Sequence, residues 1–322
     1  MSSFGMSQAG ATNLLSKPGV HTSAYRLLRP ASHVRSLPGR VCAKASTPAV
    51  STRALHSLEN LIGLGPSRRR SVRCAASSSS SDTALDEEDV PKIATEFITQ
   101  ALFNYFSCSA VAIATLVGGG SATMVTALTI AAHMVLVPMI AYVAAPASGA
   151  HFNPIVTFAF MATGILRVKT GISYIIAQCV GGVVGAYAAF NLLPVHQQVN
   201  ELAGLHTIPD SHTVSQAFFG EGIASFFFIW VIMGLVKSKN GWGKLGPFAI
   251  ALGITFNMWI TGPVSSNCIN PARALGPAVV TGFWEHHWVW WTAPFLGAFL
   301  AAKLYAKYIM PKDQLKELRA DA

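Results

Sequence analysis

Two asparagine–proline pairs, Asn153-Pro154 and Asn270-Pro271, each open a short apolar stretch in a chain of 322 residues. Asn is a favoured helix N-cap because its side-chain oxygen accepts a backbone N–H. Pro suits the first helical position, where the N–H it lacks would have no intrahelical partner. One such pair is a common turn signal. Two at matching places, each following an apolar segment with a single acid inside it (Glu96, then Glu221), form a pattern. Arg273 stands two residues beyond Pro271, and a guanidinium within an apolar segment must face water or a partner. Glu96 and Glu221 invite a proton relay, since carboxylates inside a membrane mark functional sites. His133 in an apolar run reads, by itself, as a satisfied core histidine; His151 lies two residues before Asn153 and could gate by protonation or make a structural hydrogen bond. These groups can bind, orient and repel. No nucleophile–base pair or metal-ligand cluster accompanies them, so no enzyme, cofactor or metal is expected. Cys108, Cys179 and Cys268 lie in apolar segments without metal-ligand spacing and read as small buried residues; Cys42 and Cys74 precede the body.

The elements that hold such groups must be membrane helices. Apolar residues make up 52% and charged residues 11%, less than half of the roughly 25% charge of a soluble domain. Mean hydropathy is +0.44. The net charge of +9 suggests a nucleic-acid partner until its distribution is seen. Residues 1–74 carry a net +10 and the rest a net −1, so no nucleic acid is expected. Residues 1–74 are rich in Ser and Arg, nearly free of acids and broken by prolines, and hold no apolar run fit for secretion. They read as a transit peptide, with a plastid-like processing site around Arg68-Arg69-Arg70-Ser71-Val72-Arg73-Cys74. A plastid envelope or thylakoid membrane is expected, with the mitochondrion as runner-up and an uncleaved basic tail as the bland alternative. Residues 75–92 read as a disordered acidic linker and 311–322 as a polar tail.

Between them, six stretches approach the roughly 20 apolar residues that span a bilayer core of about 30 Å. They lie near 95–116, 123–144, 172–194, 214–236, 246–263 and 286–309. Lys and Arg cluster after spans two, four and six, which puts both termini on the basic side. The body of 93–310 also repeats itself, over about 93–195 and 214–310. Asn153 stands 57 residues beyond Glu96, and Asn270 stands 49 beyond Glu221. Three spans per copy invert the second copy in the membrane, and inverted repeats place a shared path near the midplane. Residues 152–164 and 269–281 reach only about 15 Å each as helices, half the core. Two such pieces entering from opposite faces would make one composite span. The expected fold is all-α, with six transmembrane helices and two re-entrant half-helices.

Over about residues 93–310 the chain resembles the aquaporin or major intrinsic protein family. The resemblance rests on Ser148-Gly149-Ala150-His151-Phe152-Asn153-Pro154 and on Asn270-Pro271-Ala272-Arg273. It extends to Glu96 and Glu221, to Gln178 and Gly181, and to His287-Trp288-Val289-Trp290-Trp291. Ile155 departs from it, standing where the family usually has Ala, and its bulk bears on the width at the midplane. The resemblance implies passive conduction of water and small neutral solutes such as hydrogen peroxide, ammonia or urea, by a homotetramer with one pore per subunit in membrane lipid. It implies that Asn153 and Asn270 aim amide donors at passing water. Each facing helix N-terminus contributes about +0.5 elementary charge against cations. It places His133, Met258, Asn267 and Arg273 at an outer constriction, and it gives Glu96 and Glu221 the work of holding the half-helix loops. Ala274 and Trp290-Trp291 fit its water-conducting members better than its glycerol-conducting ones. The rivals are an ion-coupled secondary transporter, and a structural membrane protein closed by Ile155.

Overall fold

The computed structural model describes residues 87, 89–193, 204–235 and 243–320. The expected leader, and the linker as far as residue 86, lie outside the described residues. Among these there is no strand, and the helices are α1 (Asp89–Val117), α2 (Ala122–Ser148), α3 (Pro154–Thr163), α4 (Val168–Leu192), α5 (Val214–Leu235), α6 (Gly246–Ser265), α7 (Pro271–Thr281), α8 (Val289–Leu304) and α9 (Lys312–Ala320). Helices α1, α2, α4, α5 and α6 are long and apolar enough to cross a membrane. The sixth expected span is divided: α8 is 16 residues long, and a π-helical turn at Tyr305–Ile309 continues it.

The packing shows the duplication. α1 lies on α4 as α5 lies on α8, α1 on α2 as α5 on α6, and each half-helix packs against the last long helix of the other half. Helix association in lipid depends on close backbone approach rather than on the hydrophobic effect. Gly185 of α4 provides it on one side, where an added Cβ would stand 2.0 Å from the Ala101 carbonyl oxygen. Gly297 of α8 provides it on the other, 2.1 Å from that of Gly222. The outward faces carry apolar side chains such as Val143, Ile223, Trp259 and Tyr187, as lipid contact requires.

Two boundaries differ from the sequence expectation. α1 begins at Asp89, inside the stretch expected to be linker, because Asp89 is buried against the Arg167 guanidinium at 3.0 Å and lies within 3.4 Å of Thr170 Oγ1. Negative charge in a first helical turn is also favoured by the helix dipole. The expected polar tail forms α9, an amphipathic helix whose Leu318 is buried and whose Arg319 Nε donates to the Thr163 carbonyl. Lys303 Nζ donates to the Ala162 carbonyl beside it. Two cations thus sit at the C-terminal end of α3, where helix carbonyls lack intrahelical partners.

Candidate functional site

Half-helices α3 and α7 start from extended caps. Asn153 accepts the Ile155 N–H at 3.0 Å, and Asn270 accepts the Arg273 N–H at 3.2 Å. The two amides then cross. Asn153 Nδ2 donates to the Ile269 carbonyl at 2.8 Å, and Asn270 Nδ2 donates to the Phe152 carbonyl at 2.9 Å. So the two N-termini meet, each pinned to the loop that feeds the other. One amide hydrogen per Asn holds this junction together. Both Asn side chains also lie in the wall of a cavity of about 420 Å³.

The loops that feed the half-helices are unfavourable for most residues. Ala150, Phe152, Asn267 and Ile269 all have φ between 29° and 54°, a region that costs non-glycine residues energy and needs support from outside. The two buried acids supply it. Glu96 accepts from the His151 N–H (2.9 Å), the Phe152 N–H (2.6 Å), Ser148 Oγ (2.6 Å) and Gln178 Nε2 (2.8 Å). Glu221 accepts from the Cys268 N–H (2.8 Å), the Ile269 N–H (2.9 Å) and Ser265 Oγ (2.5 Å). The duplication extends one shell further. Tyr174 donates to the Ser148 carbonyl at 3.2 Å, and Trp290 donates to the Ser265 carbonyl at 3.1 Å.

The cavity wall runs from Val125 and Thr126, at the start of α2, past both Asn residues to Leu235 and Pro247, where α5 ends and α6 begins. These ends lie at opposite faces of the bundle, because α2 and α5 both start from the face opposite to that of α6. His133, Met258, Asn267, Arg273 and His151 all line it. His151 is buried, its Nδ1 3.1 Å from Thr157 Oγ1, and its ring lies between Phe160 and Tyr174. Ile155 is fully buried in the apolar core and does not line this cavity. Its bulk is taken up between helices.

At the end of the cavity nearer the start of α2, Arg273 Nε donates to Ser107 Oγ at 2.9 Å and Arg273 Nη1 to the Gly204 carbonyl at 2.8 Å. Ser107 Oγ also lies 2.7 Å from His133 Nε2, while His133 Nδ1 lies 2.8 Å from the Thr129 carbonyl. Asn267 Oδ1 accepts from Thr261 Oγ1 at 2.7 Å. Three groups here escaped the sequence reading: Ser107, Gly204 and His206. Ser107 was within reach of it, since Glu96, Gln100, Asn104 and Ser107 form a polar stripe at helical spacing along an apolar helix. Asn104 Nδ2 uses that stripe to hold the carbonyls of Gly182 and Ala272, at 2.8 and 3.2 Å. Gly204 and His206 carried no comparable signal, because the loop before α5 has no periodicity to place it. Among the described residues no group of His, Cys, Asp and Glu is arranged to hold a metal ion.

A helical bundle built from an inverted duplication, with two half-helices meeting at a shared cavity, defines a multi-pass membrane protein of channel-like architecture. The family model for the major intrinsic protein matches residues 86–305, and the chain belongs to that family. It is 35% identical over 164 residues to Aquaporin-8 of Notomys alexis, and 34% identical over 180 residues to Aquaporin-4 of Rattus norvegicus. Those matches cover 50% and 54% of this chain and 62% and 54% of the relatives. Aquaporin A of Dictyostelium discoideum is 31% identical over 65% of this chain and 75% of its own length. The aquaglyceroporin from Plasmodium falciparum, known from an X-ray structure, shares the fold with a TM-score of 0.62 at 21% identity, over 71% of this chain and 99% of that one.

Proposed function

We propose that the protein is a passive channel for water and small neutral solutes that turns away protons and ions. One observation carries this reading: the crossed Asn153 and Asn270 amides join two helix N-termini in the wall of a cavity lined from both faces of the bundle. A water oxygen there meets amide donors, and both its hydrogens turn outward, which interrupts a proton wire. The two positive helix ends oppose cations and hydronium in the same place. Arg273 repels cations a second time, at a constriction shared with His133, Met258 and Asn267. Glu96 and Glu221 serve as loop supports, and their oxygens are already committed to N–H and O–H donors. That commitment argues against a proton-coupled transporter. The family relationship and the names of the relatives support the same reading.

Plastid targeting by the leader and assembly as a homotetramer in lipid belong to this proposal, and His151, with its Nδ1 3.1 Å from Thr157 Oγ1, makes a structural hydrogen bond rather than a gate. No chemical reaction is assigned. Stopped-flow light scattering of proteoliposomes against water, urea, hydrogen peroxide and glycerol tests it. Water permeability should rise well above that of protein-free vesicles, with glycerol the slowest solute. No rise for any of the four would refute the channel.

A further inference from the structure

Helices α1, α4 and α7 meet around one buried side chain. Asn104 of α1 donates both amide hydrogens to backbone carbonyls, that of Gly182 in α4 and that of Ala272 in α7. Two glycines make room for it: a Cβ added to Gly182 or Gly276 would stand 3.1 or 2.5 Å from Asn104 Nδ2. One turn back along α1, Gln100 Nε2 donates to Asn104 Oδ1 at 2.8 Å. That bond fixes the Gln100 amide, whose Oε1 lies 3.5 Å from Asn270 Nδ2. Such a distance is long for a hydrogen bond, so the oxygen steers the Asn270 amide rather than anchors it.

The other half of the duplication is apolar where this one is polar. Counted from Glu221 as Asn104 and Gln100 are from Glu96, Ile229 replaces Asn104 and Ser225 replaces Gln100. Counted from Asn153 as Gly276 is from Asn270, Ala159 replaces Gly276, and Ile155 stands in the place of Ala272. Gly181 approaches the Phe97 carbonyl as Gly297 approaches that of Gly222, so Ala298 replaces Gly182. Ile229, Ala159, Ala298 and Ile155 are all fully buried in one apolar core. The Ser225 hydroxyl is buried without a hydrogen-bond partner among the described residues.

We propose that Gln100, held in place by Asn104, is a positioning residue for Asn270 and steadies the donor that the second half-helix presents to passing water. The Phe152 carbonyl takes one hydrogen of the Asn270 amide, and about that single bond the amide can swing. A fixed acceptor facing the same nitrogen limits the swing. Water is turned reliably only by a donor of constant direction, and a buried hydrogen bond behind the site provides it. Asn153 has no such brace from α5.

This inference rests on the channel reading, and the test separates the two. Gln100→Leu and Gln100→Met remove the acceptor and keep the bulk; Ser225→Ala is the control in the other half. The full chain and these variants are reconstituted in vesicles. Solid-state NMR reads the side-chain amides of Asn153 and Asn270, light scattering reads water flow, and proton flux is read under an imposed membrane potential. In both Gln100 variants the Asn270 amide signal should shift and broaden while that of Asn153 stays. Water should still flow, and proton exclusion should be lost in part, as flux above the level of protein-free vesicles. Ser225→Ala should change neither signal nor flux. If one Gln100 variant fails to reconstitute, the other carries the comparison. An unchanged Asn270 signal, or proton flux still at the protein-free level, overturns the role of Gln100 while leaving the channel intact. A wild-type protein that passes no water overturns both.

Discussion

At the scale of single residues, the site is a set of hydrogen bonds with few members to spare. Ser107 serves both Arg273 and His133, so Ser107→Ala leaves two buried groups unpaired, at a cost of about 1–3 kcal/mol. We expect a lower unfolding temperature together with a raised cation leak, because Arg273 keeps only its Gly204 anchor. A variant as stable and as selective as the parent would contradict the wiring. Ile155→Ala tests the opposite kind of position. Ile155 is fully buried and stands outside the cavity wall, so its truncation should cost about 2–5 kcal/mol of stability and leave water permeability unchanged. Permeability that appears only in that variant would mean that Ile155 plugs the path. Burial, and then the Arg273 charge, hold the His206 pKa well below its ordinary value. The folded protein therefore favours the neutral ring. His206 has no pH-dependent effect on stability above about pH 6.5, and lowers stability as pH falls further and the unfolded chain takes up the proton. Thermal unfolding of the parent and of His206→Phe at neutral and acid pH should show a smaller acid loss in the variant.

At the scale of elements, both half-helices were legible because capping is a local matter. An Asn and a Pro in sequence mark where α3 and α7 begin, and their repetition at matching places turns a common turn signal into a helix start. The long helices were legible as apolar runs, and the buried acids as exceptions within them. Less could be read where tertiary contact decides. The start of α1 at Asp89 depends on Arg167, far along the chain, and α9 depends on a bed for Leu318 and Arg319. His206 stands on a loop held by Arg273 and Ser266, neither of them near it in sequence. The close contact of α1 with α4 gives a prediction at this scale. Gly185→Leu places a side chain where an added Cβ already meets the Ala101 carbonyl at 2.0 Å, so the two helices must separate. The variant should be recovered in low yield and be cleaved by protease between helices that are protected in the parent. Normal yield and protection would contradict the packing.

At the scale of the whole molecule, the inverted duplication is what makes a cavity with matching ends. The match is incomplete in an informative way. Glu96 receives Gln178, whereas the corresponding position in α8 is Pro294, which has no donor to offer Glu221. Arg273, Ser107 and His206 likewise gather at one end of the cavity, so loop support is shared by both halves while the polar lining is concentrated at a single mouth. The most direct measurement follows water and protons together in one vesicle preparation of the wild-type protein. Water permeability is read under an osmotic step, and proton flux under an imposed membrane potential. The account predicts a large increase in water flow that is indifferent to any proton gradient, with proton flux no higher than in protein-free vesicles. Protons that travel with the water, or water that moves only when a proton gradient is applied, would contradict it.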